Sequence, residues 1–366
     1  MSDRVSRKLG LGVLSDDNFT RSASFEIETV SAARLHFGFL DVSGSLGRRF
    51  GSIGLSISSP GIRVRVRFAD ELSIEGHDAD AVNSATRYAA MFYERAEVRD
   101  VADGLPKAAI FLDRTIPSHC GYGSGTQLAL CVASSLCRLY GFSCSPAGAA
   151  LLTGRGMRSG IGIESFGRGG FIVDAGAGAE NSPLTLFRAD FPENWRVITV
   201  LPPDAGKGLN GRNESRAFMD MPAADPSSAR EICHIVMMML LPALLEKKLD
   251  IFGEAVGRIQ EITGESFASV QSGRFASPMA EDIFRKMGGL GAVGMGQSSW
   301  GPLIYGFADG EERASAVASG LKKYFGGTEI FLGLKDSAGP GGPAQKLGVS
   351  VVSGRNSGAV TEKRPV

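Results

Sequence analysis

The chain has 366 residues, 39 basic and 39 acidic side chains, and 43% apolar residues. That balance excludes wholesale disorder, and zero formal charge removes the global phosphate attraction of a dedicated nucleic-acid binder. The length fits two domains or one large one, with ample material for a core.

Residues 1–22 are polar and mixed in charge, which predicts a loose arm. Ile62, Val64, Val66 and Phe68 alternate with Arg63, Arg65 and Arg67, the period of a half-buried strand with a solvated arginine face. Val82, Ala85, Ala89, Phe92 and Ala96 recur at helical spacing over 79–98. Ile110 to Leu112 reads as a short strand. Leu128, Val132, Ser135, Leu136 and Leu139 then read as a helix that stops at Gly141. Phe171–Asp174 and Trp195–Leu201 predict strands, the second ended by Pro202-Pro203. Helices are expected over 228–248, 250–262, 279–287 and 311–325, and strands over 300–307 and 328–334. Strands and helices mix without a regular βαβ repeat, so the expected class is α+β. The expected division is an arm at 1–22, domains at 23–190 and 191–352, and a polar tail at 353–366.

Five cysteines without a CxxC pair suggest reduced thiols, and no apolar leader opens the chain, so a cytoplasmic protein is expected. The most apolar stretch, Ile235 to Leu245, spans eleven residues and contains Pro242. A membrane span needs about 20, so a buried core helix is expected and no membrane partner. The four histidines lack the spacing of a zinc site.

Glycine is the unusual component: 49 residues, about 13% against a usual content of roughly 7%. Most fall in six windows, at 36–54, 117–126, 154–178, 206–211, 288–301 and 339–354. Apolar residues are interleaved in them, unlike a flexible linker. Such glycines serve backbone at positive φ or backbone that a ligand approaches closely.

The window Pro117-Ser-His-Cys-Gly-Tyr-Gly-Ser-Gly-Thr126 carries the first chemical signal. A strand enters it and a helix leaves it. Gly121, Gly123 and Gly125 let amides converge, and a helix start at Ser124–Thr126 adds unpaired N–H groups and a positive dipole end. That is an anion site suited to phosphate or pyrophosphate. No Gly-Lys-Ser/Thr follows, so it is not the P-loop of nucleotide hydrolases.

This segment resembles the P-x-x-x-G-L-G-S-S-A loop of the GHMP kinase superfamily, and 288–301 resembles that superfamily's late Gly-rich motif. One branch is more similar still. Its motifs are matched by Ala33-Arg-Leu-His-Phe-Gly-Phe-Leu-Asp41, Ser45-Leu-Gly-Arg48, Gly154-Arg-Gly-Met-Arg158-Ser-Gly-Ile-Gly162, Gly169-Gly-Phe-Ile-Val-Asp174 and Gly296-Gln-Ser-Ser-Trp-Gly-Pro302. The branch is the β-ribofuranosylaminobenzene 5′-phosphate synthase family of methanopterin biosynthesis, and the resemblance runs from about 25 to 350. After Arg48 the pattern departs: Arg49-Phe50-Gly51-Ser52 stands where the family has an acid and paired glycines.

The resemblance implies a GHMP-kinase-like fold, with an N-terminal domain like that of a small-subunit ribosomal protein and a ferredoxin-like C-terminal domain. It implies condensation of 4-aminobenzoate with phosphoribosyl pyrophosphate (PRPP), losing CO2 and pyrophosphate. The para amino group pushes electrons onto the ring carbon that bears the carboxylate, and that carbon attacks the anomeric carbon. No pyridoxal phosphate is needed, and Mg2+ is expected, with Asp41 the suggested ligand. Asp41, Arg48 and Glu214 are the suggested catalytic residues. Arg34, His36, Gly121, Gly123, Ser124, Gly125, Thr126, Arg155, Arg158, Gln297, Ser298 and Ser299 are the suggested substrate-binding residues. Arginine suits carboxylate and phosphate through its two-point fork. A homodimer is a further open expectation. The alternatives are an ATP-dependent small-molecule kinase of the same fold, and a non-catalytic ligand-binding protein that kept it.

Overall fold

The computed structural model describes residues 11–13, 25–95, 107–178, 183–203, 216–218, 225–271, 273–326, 328–329 and 347–365. Its N-terminal layer is a sheet in the order β14-β2-β3-β5-β4. The strands are β2 (Phe25–Asp41), β3 (Phe50–Ala69), β4 (Ser73–Gly76), β5 (Lys107–Arg114) and β14 (Val360–Pro365). β7 (Phe171–Asp174) pairs with the first half of β3, and β8 (Thr185–Ala189) pairs with β7. A second sheet, β10-β11-β9-β13-β12, is built from β9 (Trp195–Leu201), β10 (Val293–Gln297), β11 (Ile304–Asp309), β12 (Thr328–Glu329) and β13 (Gly348–Ser353). The short strands β1 (Leu11–Val13) and β6 (Phe142–Cys144) pair with each other.

Helix α1 (Ala79–Glu94) is started by Asp78, whose side chain accepts from the Ala81 amide, and buries Ala81, Ala85, Tyr88, Ala89 and Phe92. Helix α2 (Ser124–Leu139) packs on α1, β2 and β3, followed by α3 (Pro146–Leu152) and α4 (Ile161–Gly167). In the second half, α5 (Pro226–Ile235) passes through a π-helical turn (Val236–Leu240) into α6 (Leu241–Leu245), and α7 (Leu249–Gln271), α8 (Ala280–Gly289) and α9 (Glu311–Phe325) follow. One aromatic core joins the two halves. Phe37 of β2 lies 4.8 Å from Tyr305 and 5.8 Å from Phe307, and Phe252 of α7 lies 5.8 Å from Phe171 and 5.3 Å from Phe307. Contacts of this kind add to the burial itself.

β2 controls the geometry of everything that follows. Its register on β3 shifts between Ala32 and Arg34 and again between His36 and Gly38. Each shift is a bulge, and a bulge re-aims the side chains beside it. Arg34 and His36 share a face by the two-residue period. The second bulge changes the parity, so that Phe39 joins that face.

Three expectations are corrected here. Residues 353–365 do not form a tail: Ser353 ends β13, Arg355 bonds across to Ser56 and Gly170, and Val360–Pro365 add the edge strand β14 to β2. The charges that made the segment look like a tail are used in pairing. Arg364 reaches the buried carboxylate of Glu28 at 2.8 Å, and Thr361 bonds Thr29 at 3.0 Å. The apolar stretch near 235–245 belongs to a continuous 20-residue helix, Pro226–Leu245, which is long and apolar enough to cross a membrane by length and composition. Ile232, Ile235, Val236, Leu240 and Leu244 are buried against the protein, yet Met237 and Met238 are 62% and 68% exposed, so it is a half-buried surface helix. Of the expected arm, only Leu11–Val13 fall among the described residues, and they pair with β6. The arginine face of β3 is ion-paired at the surface: Arg65 holds Asp113 at 2.5 Å and Glu26 at 3.0 Å.

Glu28 is 4% exposed and served by Arg364 and, at 3.7 Å, by Arg63. Arg364→Ala is therefore expected to destabilise the fold by about 1.5–3 kcal/mol, the range for a hydrogen bond to a charged group. Urea unfolding checks this, and an unchanged midpoint would show that β14 contributes nothing through that contact.

Candidate active site

The bulged segment of β2, the 117–126 loop, α1 and the 154–162 loop enclose a cavity of about 810 Å3. That volume accommodates a ligand of several groups. Gly123 occupies the start of α2 at φ 76°, in the left-handed region, and no side chain caps the helix there. The Thr126 and Gln127 amides bond back to the Gly123 carbonyl, and the first turn carries no acid. The amides of Ser124 and Gly125 thus stand at the positive end of a 16-residue helix, facing the cavity.

Two guanidinium groups bracket this loop closely. A Cβ at Gly123 would meet Arg34 Cζ at 2.9 Å, and one at Gly125 would meet Arg155 Nη2 at 2.9 Å. Arg34 Nη1 donates to the Gly121 carbonyl at 2.9 Å. Arg155 donates to the Tyr88 hydroxyl and lies over the Tyr88 ring at 5.2 Å. Arg87 covers the same ring at 5.1 Å. Arg158 lines the cavity and stacks on Phe218 at 5.4 Å. Arg34, Arg155 and Arg87 beside the loop, with Arg158 also lining the cavity, form an anion site independent of any single side chain.

The other end is aromatic. His36 lies 4.7 Å from Phe39, and Trp300 stacks on Phe267 at 4.5 Å with its edge presented to Phe218. His36 is buried, and burial first, then the nearby Arg34 charge, pushes its pKa down to about 3. It is neutral at physiological pH. Its Nδ1 accepts the Gly38 N–H at 3.3 Å, so the ring proton resides on Nε2.

The suggested substrate-binding residues divide. Arg34, His36, Gly121, Gly123, Ser124, Gly125, Thr126, Arg155, Arg158 and Ser299 line the cavity together. Gln297 and Ser298 do not line it; both bond within the protein, and Gln297 lines a small recess beside His36. Gln297 Oε1 accepts from the Ala276 amide at 2.7 Å and its Nε2 donates to the Ser299 carbonyl at 3.1 Å. Ser298 Oγ donates to the Gly121 carbonyl at 2.7 Å and accepts from the His36 amide at 3.0 Å. These bonds fasten the loop to β2.

Asp41 and Arg48, two of the suggested catalytic residues, do not line the cavity. Asp41 ends β2, and its Oδ1 accepts from the Ser43 amide at 2.7 Å, the Ser43 hydroxyl at 2.6 Å and the Gly44 amide at 3.1 Å. It is a strand-end turn cap. Arg48 donates to the carbonyls of Ala175 and Gly176 at 3.0 and 2.8 Å. Glu214 lies outside the described residues. Among the described residues no group of three His, Cys, Asp or Glu side chains is gathered as for a metal ion.

Sequence reasoning missed the α1 wall. Asp80, Asn83, Ser84 and Arg87 line the cavity from one helical stripe. Their spacing was visible, but a polar stripe reads equally as a solvated face. It also passed over Asp174, which is buried beneath the 159–162 segment. Asp174 accepts from the Gly160 amide at 3.0 Å and the Gly176 amide at 2.6 Å. Burial outweighs these bonds and pushes its pKa up to about 6.

A mixed α+β chain with a glycine loop feeding an uncapped helix start defines the GHMP kinase class. Residues 83–168 match the family described as "GHMP kinases N terminal domain", and 240–327 match "GHMP kinases C terminal". A homoserine kinase from Cytophaga hutchinsonii shares the fold, with a TM-score of 0.59 and 16% identity, covering 94% of this chain and 98% of that one. Within the class, the chain belongs to the β-ribofuranosylphenol 5′-phosphate synthase family of enzymes. The Methanothermobacter thermautotrophicus member is 31% identical over 82% of this chain and 93% of its own. The Methanocaldococcus jannaschii member is 32% identical over 76% and 88%.

Two outcomes follow from the geometry. Gly125→Ala moves only the mobile end of Arg155, so the melting temperature should stay within a few degrees. Pyrophosphate binding, measured by calorimetry, should weaken about tenfold, or about 1.4 kcal/mol; undiminished binding would detach Arg155 from the anion end. The second concerns acid stability. His36 is 6.5 unfolded and about 3 folded, so its contribution is present above 6.5 and lost as pH falls toward 3. Asp174 is 3.8 unfolded and about 6 folded, so its contribution is present below 3.8 and lost as pH rises through 6. The two oppose each other between pH 4 and 6. Asp174→Asn should therefore gain stability with pH more steeply than the parent over that range, by up to about 1.4 kcal/mol per unit. Parallel curves from urea titrations at pH 4, 5 and 6 would contradict the assignment.

Proposed function

We propose that the chain joins the anomeric carbon of PRPP to the carboxylate-bearing ring carbon of a para-substituted benzoate, releasing CO2 and pyrophosphate, as a step of methanopterin biosynthesis. The observation that carries this reading is a single cavity with an anion-binding end and an aromatic end. Family membership supports it.

On this reading the loop amides with Arg34 and Arg155 hold the pyrophosphoryl group, and Arg87 and Arg158 complete the charge around the sugar phosphate. The ring carbon supplies the electron pair for the new bond as the bond from the anomeric carbon to pyrophosphate oxygen breaks. Charge that develops on the departing oxygens meets fixed donors, which need no reorganisation. The carbon–carboxylate bond then breaks, its pair restores aromaticity, and CO2 leaves. The aromatic wall of Phe39 and Trp300 orients the ring plane. A divalent cation would enter with the pyrophosphate, which supplies most of its oxygen ligands, and Asp80 is the carboxylate that the cavity wall offers.

The relatives' products are phenols by name. We therefore propose a para-hydroxy acid as the natural acceptor, in place of the 4-aminobenzoate that the sequence resemblance implies. Either substituent pushes electrons to the reacting carbon.

Incubating the protein with PRPP, Mg2+ and carboxyl-labelled 4-hydroxybenzoate should release labelled CO2 and pyrophosphate in equal amounts. Folded protein that releases neither from the hydroxy nor the amino acid, or that instead consumes ATP to phosphorylate a small molecule, would overturn the reading.

A further inference from the structure

We propose that His36 reads the para substituent of the aromatic acid and selects oxygen over nitrogen through its Nε2–H. The inference rests on the reaction proposed above.

The placement follows from the reaction's own geometry. The carbon that bears the carboxylate must meet the anomeric carbon, and the anion end of the cavity holds the pyrophosphate attached to that carbon. The para position lies directly across the ring, so its substituent points away from the sugar and toward the aromatic end. There His36 lines both the cavity and a small recess behind it, beside Phe39 and Ser299. The polar side chains that the recess adds are Gln260, Thr263, Gln271, Arg274 and Gln297, and none is a carboxylate.

The ring's hydrogen-bonding sense is set by the backbone. The bulge after His36, with Gly38 at φ 125°, aims the Gly38 N–H at Nδ1. Nδ1 is thereby the acceptor and Nε2 the donor, and among the described residues none hydrogen-bonds Nε2. The Ser299 amide donates to the His36 carbonyl at 3.0 Å, and the His36 amide donates to Ser298 Oγ at 3.0 Å, so the residue is held at both backbone ends. Burial first, and then the nearby Arg34 charge, keeps the ring neutral.

A fixed N–H donor distinguishes the two substituents in the transition state. As the ring carbon attacks, a para hydroxyl passes its proton to solvent water in the open cavity and becomes the carbonyl of a cyclohexadienone. Its oxygen gains acceptor strength as the reaction proceeds. A para amine becomes an iminium, which is cationic and has only donors. The His36 donor stabilises the first and opposes the second, and the neighbouring arginines add to the discrimination. Decarboxylation then returns the electron pair to the ring, and the oxygen takes a proton back from solvent water, so no further co-reactant is needed.

The test compares kcat/KM for 4-hydroxybenzoate and 4-aminobenzoate in the parent, His36→Leu and His36→Gln, with melting curves on each. The parent should prefer the hydroxy acid at least about tenfold. Loss of one fixed donor costs about 100-fold, so His36→Leu should lose that much with the hydroxy acid and under about threefold with the amino acid. His36→Gln keeps an N–H near Nε2 and should recover at least about tenfold of the loss. A parent that turns over neither acid overturns the reaction and this role with it. A parent that turns over both but favours the amine overturns the role alone, as does a parent-like melting His36→Leu that loses both acids equally. If His36→Leu does not fold, the parent's preference and the His36→Gln ratio decide: a parent without an oxygen preference, or a Gln variant that loses it, counts against the role.

Discussion

The carbonyl of Gly121 is where the two halves of the molecule meet the chemistry. It accepts from Arg34 of β2 and from the Ser298 hydroxyl, at 2.9 and 2.7 Å. Beside it, the Cys120 carbonyl takes the Leu303 amide and the Tyr122 carbonyl takes the Arg34 amide, each at 3.1 Å. A glycine loop free to move would lose its order on every turnover and regain it at an entropic cost on binding. Here its carbonyls face backward into these bonds, which leaves its amides to face forward. Gly121 itself has φ 99°, and a Cβ there would sit 2.8 Å from the Ser298 carbonyl. The late Gly-rich motif is therefore a clamp on the early one, and the C-terminal half is needed to shape a site made largely from N-terminal residues.

The same clamp organises polarity. Positive charge is concentrated where the backbone already points N–H groups, while at the aromatic end it is carried by Arg158, which stacks on Phe218. His36 sits at the border between them and is held neutral by burial and by Arg34. Asp174, on the far side of the 159–162 segment, is held partly protonated by burial despite the amides it accepts from. Both groups carry a cost that packing elsewhere must offset, and the shared aromatic core across β2, α7 and β11 supplies such packing.

Elements were readable wherever a period was long. The helices at 79–98 and 311–325, and the strand at 195–201, appear as α1, α9 and β9 with small shifts at their ends. The glycine loop was readable because strand, glycines and helix lie consecutively. Three things were not readable, each for a physical reason. Asp41 ends a strand next to a serine and a glycine, where a carboxylate caps a turn as readily as it faces a cleft. Gln297 and Ser298 are polar residues in a glycine motif, and only the three-dimensional neighbours Ala276 and Gly121 show that their bonds point inward. The edge strand β14 carries Glu362, Lys363 and Arg364, and its pairing partner lies more than 300 residues earlier in the sequence. Local composition holds no trace of such a partner.

On the proposed reading, a kinase fold makes a carbon–carbon bond with few changes to its anion site. A phosphate-binding loop at a helix start recognises oxygens and charge, and it is indifferent to what those oxygens are attached to. In a kinase the electrophile beyond the loop is phosphorus, and in PRPP it is the anomeric carbon on the other side of the bridging oxygen. Changing which atom is attacked requires moving the nucleophile, and that is the task of the opposite wall. In this chain that wall is Phe39, Trp300 and a neutral His36, all delivered by the bulged end of β2 and the clamp turn. An aromatic wall of this kind suits an aromatic ring. The division of labour along the cavity thus favours ring attack on carbon, and it follows from two bulges and one serine.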